Sequence, residues 1–214
     1  MTDGVPDDSG VDYTDGAGET PADYPTLAAK FERASEVVGT ALDAYDAPAV
    51  IWTGDRDSTL ALYLVREVAA DQDRPLPPVV LTESVAADTF VARWVDRWGL
   101  DLVIAGEDRL ATVIEDHGFD AVIAPDRGDD PDIAADESFV APTRDGTGTY
   151  DRIRPLLLFD AEAAQNATWG FVVPDTVDAF PAGYVPESAD DLPEGVELAD
   201  VPVSPGTLDA PDDE

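Results

Sequence analysis

The sequence predicts an α/β fold: a three-layer domain in which a mostly parallel, twisted sheet of about five strands carries helices on both faces. Short apolar segments alternate along the chain with segments that have apolar residues at helical spacing. The short segments are apolar at nearly every position, which is typical of strands buried on both faces of a parallel sheet. Polar or glycine-containing turns separate the two kinds of element, as in successive strand-helix units.

The elements follow one another in a regular order. A helix is predicted over 27–46, where an apolar stripe continues until Pro48 breaks it. Strands are then predicted over 49–53, 78–82, 101–105 and 120–124, with helices over 59–70, 86–98 and 109–117. Segments 126–136 and 144–151 are rich in Asp, Gly and Pro and are predicted loops. An apolar segment, 153–159, precedes a short helix that Asp160 caps and that runs to about Ala167.

The chain is extremely acidic. Its 214 residues include 47 acids and 12 bases, a formal net charge of -35, and Lys30 is its single lysine. A surface that binds nucleic acid by neutralising phosphates is therefore disfavoured, since that affinity comes from Lys and Arg. Acids spread along a chain with a normal apolar fraction are typical of proteins that work near molar salt, where charge repulsion is screened within about 3 Å. We interpret the charge as adaptation to the solvent, and acidic recognition of a basic partner as the weaker alternative.

Several kinds of chemistry are excluded or disfavoured by composition. The sequence contains no cysteine, which excludes disulfides, thiolate metal sites, an iron-sulfur cluster and thiol redox chemistry. It contains neither a signal-peptide pattern nor an apolar stretch long enough to span a membrane, so no membrane association and a cytoplasmic location are expected.

The composition divides the chain into three parts. Residues 1–24 are acidic and free of bases, and they are predicted to be a disordered tail. Residues 25–186 are predicted to form the domain, and residues 187–214 a second acidic tail.

Polar residues follow each predicted strand. In an open α/β sheet the ligand lies at the carboxyl ends of the strands, near the point where the strand order reverses. The candidate segments at that edge are 53–58, 82–84, 107–109 and 125–130. The first of them, Thr53-Gly54-Asp55-Arg56-Asp57-Ser58, leads directly into a helix, and the free N–H groups at a helix start are a common phosphate site.

This segment also carries a family resemblance. The stretch WTGDRDSTLALYLVREVA resembles the pyrophosphate-binding loop of the adenine nucleotide alpha-hydrolase superfamily (the PP-loop), S-G-G-x-D-S/T at a helix start. More narrowly, the chain resembles the phosphoadenylyl sulfate (PAPS) reductase family, which includes the nucleotide-binding small subunit of sulfate adenylyltransferase. Four further segments match that family in order: RPLPPVVLTES, WVDRWGLDLVIAGED, FDAVIAPDRGDDPDIAADESF and RIRPLLLFDAE. The resemblance covers roughly residues 27 to 165.

The resemblance implies a set of nucleotide-binding positions. The predicted nucleotide- and phosphate-binding residues are Thr53, Gly54, Asp55, Arg56, Asp57, Ser58, Thr59, Thr82, Arg127 and Arg154. Departures from the family pattern accompany them. Asp55 replaces the second glycine of the loop, Arg56 replaces a lysine, the residues around Arg127 differ, and Phe159 replaces a tryptophan. A carboxylate at position 55 opposes a phosphate by roughly 4 kcal/mol at 4 Å and an effective dielectric constant near 20.

The implied function is adenine-nucleotide binding, with ATP, adenylyl sulfate or PAPS as the ligand class. The reductase reaction of the family needs a cysteine thiolate and is excluded here. Adenylyl transfer to sulfate or a related oxyanion remains, with Mg²⁺ accompanying ATP and with Asp55 or Asp57 as a ligand of that ion. The alternative is a non-catalytic family member that acts as a nucleotide-binding or protein-interaction module. A protein partner or a second copy of the chain is left open by the sequence.

Each candidate residue also has a structural interpretation. Asp57-Ser58 is equally an N-cap, and Arg127, Arg152 and Arg154 are equally partners for nearby carboxylates. The single histidine, His117, is interpreted as a residue of a helix C-terminus. Trp94 and Trp98 are interpreted as core residues before they are taken as a base-stacking surface.

Overall fold

The computed structural model describes residues 11–82, 95, 97–105, 109–134, 136–144 and 149–172. Within them the chain forms one six-stranded sheet with helices packed against it. The helices are α1 (Leu27–Ala44), α2 (Arg56–Asp71), α3 (Leu110–His117) and α4 (Ala161–Ala167), which a π-helical turn, Thr168–Val172, continues. The strands are β1 (Pro48–Trp52), β2 (Val79–Leu81), β3 (Leu102–Ile104), β4 (Ala121–Ile123), β5 (Val140–Arg144) and β6 (Thr149–Ile153).

The strand order of the sheet is β3-β2-β1-β4-β6-β5. All neighbours pair in parallel except β5 and β6, which form an antiparallel pair at one edge. The predicted α/β fold with a mostly parallel sheet is confirmed. The four strands predicted from continuous apolar segments are β1 to β4, because strands covered on both faces leave no polar alternation in the sequence.

The two faces of the sheet are covered by different helices. On one face, Val50, Trp52 and Leu81 belong to the main core that α1 and α2 complete. On the other face, Ile51 and Val122 pack with Ile114 of α3. Neighbouring residues of a strand point to opposite faces, so β1 contributes to both cores. The prediction of helices on both faces is therefore confirmed.

The edge pair β5–β6 was not predicted as strands. Part of the predicted loop 144–151 belongs to these two strands, and of the apolar segment 153–159 only Ile153 is in a strand, while residues 155–158 form turns. The reason is that β6 has the sequence TYDRI, in which a buried Asp151 interrupts the apolar pattern. Its carboxylate accepts hydrogen bonds from the hydroxyls of Tyr13 at 2.8 Å and Tyr45 at 2.7 Å.

The structure differs from the sequence prediction over residues 11–24, which lie against the domain as a series of turns. We call this segment the N-terminal strap. Arg33 of α1 forms ion pairs with Asp15 at 2.8 Å and with Glu19 at 2.9 Å, and the Phe139 N–H donates to the Asp15 carbonyl. Arg33 also lies 5.0 Å above the ring of Phe139. A single half-buried cation, Arg33, thus binds acids that appear in the sequence only as a charged tail.

Several predictions fall on residues that are not described. Residues 1–10 of the predicted N-terminal tail, residues 173–186 of the predicted domain and the predicted tail 187–214 lie outside the described residues. Of the helix predicted over 86–98, residues 95, 97 and 98 are described and are helical. In the described part of the chain, no helix has the length and apolar character needed to cross a membrane.

Candidate functional site

The strand order reverses beside β1. The chain passes from β1 through β2 to β3 in one direction, and then returns to place β4 on the other side of β1. The segments that leave the carboxyl ends of β1 and β4 therefore border one crevice, which is where open α/β sheets bind ligands. Asp57, just after β1, and Arg127, just after β4, form an ion pair across this crevice. Two of the predicted segments, 53–58 and 125–130, are thus brought together.

The turn between β1 and α2 contains one residue in the left-handed region. Gly54 has φ of 86°, whereas Asp55 has φ of -78°. The backbone conformation that favours glycine is therefore at Gly54. An aspartate at position 55 therefore causes no backbone strain.

Asp55 is the N-cap of α2. Its carboxylate accepts a hydrogen bond from the Ser58 N–H at 2.8 Å. The interpretation of Asp57-Ser58 as the cap is corrected here, because Asp57 lies within the first turn of the helix, two residues after the cap. A carboxylate of the chain itself therefore interacts with the positive end of α2.

The hydroxyl groups of Ser58 and Thr59 are fully buried and stabilise the turn. Ser58 Oγ accepts from the Thr53 hydroxyl at 2.9 Å, and Thr59 Oγ1 donates to the Asp55 carbonyl at 2.6 Å. The indole N–H of Trp52 donates to Thr59 Oγ1 at 3.1 Å. The two hydroxyls therefore form their hydrogen bonds inside the loop.

Three carboxylates surround the guanidinium of Arg127. Its Nε lies 2.8 Å from Asp129, its Nη2 lies 3.2 Å from Asp130, and its Nη1 contacts Asp57. Burial lowers the pKa of Arg127, but the hydrogen bond to Asp129 and the charges of Asp57 and Asp130 outweigh it, so the pKa is raised. Asp57 has a second cation, since Arg56 Nε lies 2.9 Å from its other oxygen.

A second ion cluster adjoins the first and is centred on Asp126. Arg152 binds both oxygens of this carboxylate, at 2.5 and 2.7 Å, and Arg154 Nε lies 3.1 Å away. Arg154 also contacts Glu137 at 3.2 Å. Burial raises the pKa of Asp126, yet the Arg152 hydrogen bond and the charges of both arginines bring it below its usual value. In this structure the three arginines of the two clusters are paired with carboxylates, as their structural interpretation predicts.

The loop that carries Arg127 is held against the segment after β6 by a very close backbone approach. The Gly128 N–H donates to the Phe159 carbonyl at 3.2 Å, and a Cβ at Gly128 would lie 2.1 Å from the Leu157 carbonyl oxygen. Only glycine fits at this position. Gly128 is one of the residues around Arg127 that depart from the family pattern, and nothing in the single sequence signals this close packing.

The remaining candidates lie at the same edge or outside the described residues. The Thr82 N–H donates to the Trp52 carbonyl at 3.2 Å, which places the end of β2 beside the end of β1. Residues 83–84 and 106–108 are not described. His117 is the last residue of α3, and Gly118 follows it in the left-handed conformation with φ of 68°. This position agrees with the structural interpretation of His117.

The carboxylates of Asp55 and Asp57 are the candidate ligands of a resident magnesium ion at this edge of the sheet. Asp55 is engaged by a backbone N–H, and Asp57 lies between two guanidinium groups. Mg²⁺ takes several oxygen ligands, and both Asp57 oxygens contact guanidiniums, so of the two side chains Asp55 alone presents an oxygen that these contacts do not engage. Over the described ranges, no group of three or more His, Asp or Glu residues is placed to hold a metal ion. These residues do not fit a protein-bound Mg²⁺, so any Mg²⁺ at this site would arrive on the nucleotide.

Comparison by sequence finds no relatives: no protein-family model matches the chain, and no curated protein matches it. Solved structures do resemble it. The Candida glabrata FMN adenylyltransferase in complex with FMN and the ATP analogue AMPCPP aligns with a TM-score of 0.53 and 17% identity, covering 72% of this chain and 63% of that one. The PAPS reductase from Candida auris, in a phosphate complex, aligns with a TM-score of 0.51 and 10% identity, covering 70% of this chain and 81% of that one.

The chain shares the fold of these adenylyltransferase and reductase structures, which is the fold that the resemblance to the adenine nucleotide alpha-hydrolase superfamily predicts. The same adenylyltransferase in complex with FAD and inorganic pyrophosphate aligns with a TM-score of 0.51 and 15% identity. The chain spans about 60% of the length of these adenylyltransferase structures, from 61% to 63%. The predicted resemblance to this superfamily is confirmed at the level of the fold, and at such identities the likeness extends no further.

Proposed function

We propose that this protein binds an adenine nucleotide in the crevice between the ends of β1 and β4. The observation that carries the proposal is the position of Arg127, which the fold places across the crevice from the loop that contains Gly54 and Asp57. Adenine-nucleotide complexes are known for structures that share the fold, including one with an ATP analogue. The phosphates would lie between the turn after β1 and the loop after β4.

The charges around the crevice favour a nucleotide that carries its own cation. Arg56, Arg127 and Arg154 supply positive charge, but Asp55 and Asp57 stand at the start of α2 beside the proposed phosphate position. A carboxylate facing a phosphate is repulsive at short range, and a divalent ion on the phosphates reduces that repulsion. The proposed ligand is therefore the magnesium complex of ATP or a related adenine nucleotide.

Adenylyl transfer to sulfate or a related oxyanion is the activity we propose for this site. Attack of an oxyanion on the α-phosphorus requires mainly positioning and neutralisation of charge on the departing pyrophosphate. The guanidiniums of Arg56 and Arg127 would carry that role. A dedicated general base is not needed, because the attacking oxyanion is already deprotonated.

A second candidate function is a non-catalytic nucleotide-binding or interaction module. The specific observation in its favour is that Asp55 already caps α2, so a charged group of the chain occupies the position that usually attracts phosphate. Such a module would bind nucleotide more weakly and would transfer nothing.

Calorimetric titration with MgATP and with PAPS in molar KCl tests binding. The wild-type chain is compared with Arg127→Gln, which removes a cation of the crevice. The control is Asp71→Asn at the exposed far end of α2, which also changes the net charge by one unit. We expect binding that Arg127→Gln weakens and Asp71→Asn leaves unchanged. No heat with either nucleotide, or equal affinity in all three proteins, overturns the proposal. Exchange of labelled pyrophosphate into ATP in the presence of sulfate then separates transfer from binding alone.

A further inference from the structure

The ion pair between Asp57 and Arg127 connects two elements that are otherwise separate in the chain. Asp57 belongs to the first turn of α2, and Arg127 belongs to the loop after β4, 70 residues later. Both side chains are 16% exposed. We call this ion pair the crevice lock, because it joins the two walls of the proposed nucleotide site.

All three nitrogen positions of the Arg127 guanidinium are engaged by carboxylates. Nη1, the Arg127 nitrogen that contacts α2 across the crevice, is held by Asp57, so a phosphate oxygen between the two walls competes with Asp57 for this nitrogen. Two of the three carboxylates also accept hydrogen bonds from backbone N–H groups. Asp129 also accepts from the Ala161 N–H at 3.0 Å, and Asp130 also accepts from the Arg127 N–H at 2.7 Å.

Asp57 is the carboxylate that can leave Arg127 most easily. Its other oxygen keeps Arg56 as a partner at 2.9 Å, so the carboxylate is not left buried without a cation when it releases Arg127. Its movement also leaves the capping of α2 intact, because the cap is Asp55.

We propose that the Asp57 carboxylate occupies the phosphate position on Arg127 and that a nucleotide phosphate opens the crevice lock by replacing it. This inference rests on the proposed function. Asp57 thereby lowers the nucleotide affinity of the site. The phosphate must replace the Asp57–Arg127 interaction, so only the difference in free energy between the two interactions contributes to binding. Ligand binding separates the loop after β4 from the first turn of α2.

A double-mutant cycle on MgATP affinity tests the inference in molar KCl, where charges further apart than about 3 Å are screened. The four proteins are the wild type, Asp57→Asn, Arg127→Gln and the double variant. Release of Arg127 is expected to tighten binding on the order of tenfold in Asp57→Asn. In the Arg127→Gln background the same substitution is expected to give a clearly smaller gain, since the group it releases is absent and only the repulsion between Asp57 and phosphate is relieved.

The matched control is Asp43→Asn, which makes the same substitution in another aspartate–arginine ion pair, 2.7 Å to Arg74, at the amino edge of the sheet. It is expected to leave MgATP affinity unchanged. An equal gain in both backgrounds indicates general removal of negative charge and overturns the inference, as does a loss of affinity in Asp57→Asn. Absence of MgATP binding in all four proteins overturns the proposed function instead, and the competition for Arg127 with it.

Discussion

The Asp55 carboxylate accepts a hydrogen bond from the backbone N–H of Ser58 at 2.8 Å, so the first turn of α2 is stabilised by an acid of the chain itself. The residue that departs most from the phosphate-loop pattern is therefore also the residue that begins the helix. Its structural role and its effect on a ligand oppose each other. Substitutions that separate charge from capping can measure both.

The substitution Asp55→Asn keeps a capping oxygen and removes the charge. We expect unchanged stability and a MgATP affinity raised by up to roughly fivefold, the factor that an exposed charge interaction of at most about 1 kcal/mol gives. Asp55→Ala removes the cap as well, and is expected to lower the free energy of unfolding by about 1 kcal/mol. Urea unfolding and calorimetric titration measure the two effects. Lower MgATP affinity in Asp55→Asn would show that this carboxylate does not face phosphate.

The substitution Gly128→Ala tests the close approach of the loop after β4. The new Cβ would lie 2.1 Å from the Leu157 carbonyl oxygen, so one of the two backbones must move. We expect a loss of about 1 to 3 kcal/mol in the free energy of unfolding, the usual cost of overpacking. Gly170→Ala is the matched control, because no atom lies within 4 Å of its added Cβ. Equal unfolding midpoints for the two variants would contradict the packing described here.

The two tyrosines that bind Asp151 form a natural pair for a mutant cycle. Tyr13→Phe and Tyr45→Phe each remove one hydrogen bond, and each is expected to cost about 1 kcal/mol of stability. The double variant is expected to lose more than the sum, because the carboxylate of Asp151 is only 8% exposed and then lacks both donors. Urea unfolding of the four proteins gives the coupling directly. Strict additivity would mean that water replaces the tyrosines at this carboxylate.

The lowered pKa of Asp126 is expected to make the free energy of unfolding depend on pH in the acidic range. Its pKa in the folded chain lies below the ordinary value of 3.8, so its contribution to stability is complete above that value and is lost as the pH falls through the folded pKa. We expect the free energy of unfolding to decrease between about pH 5 and about pH 3. Asp126→Asn should reduce this slope, and Arg152→Gln should also reduce it by removing the main cause of the lowered pKa. An identical slope in the wild type and in Asp126→Asn would refute the assignment.

The sequence was sufficient for those parts of the fold that depend on local pattern. Continuous apolar segments predict β1 to β4, Gly118 predicts the end of α3, and Asp160 predicts the start of α4, where its carboxylate accepts from the Ala163 N–H at 2.7 Å. The edge strand β6 escaped prediction because Asp151 is stabilised by Tyr13 and Tyr45, whose contact with it depends on the tertiary structure.

The candidate site was predicted as a set of residues, but not as a set of contacts. The order of strands and turns was enough to place Thr53 to Ser58 and Arg127 at one edge of the sheet. The family pattern has glycine where this chain has Asp55, and that comparison did not suggest a capping role. A cap is recognised by its hydrogen bond and not by residue type alone. The partners of Arg127 could not be chosen from sequence either, because many carboxylates were available to it.

The N-terminal strap has a consequence for the order in which the molecule is completed. Tyr13 bonds to Asp151, 138 residues further along, so this contact of the strap cannot form until β6 has been synthesised, whereas Arg33 is available to Asp15 and Glu19 much earlier. At a synthesis rate of roughly 5 to 20 residues per second, that interval lasts from several seconds to about half a minute. The hydrogen bond between Tyr13 and Asp151 is thus a late contact. It can form only after the central strands, which precede β6 in the chain, have been synthesised.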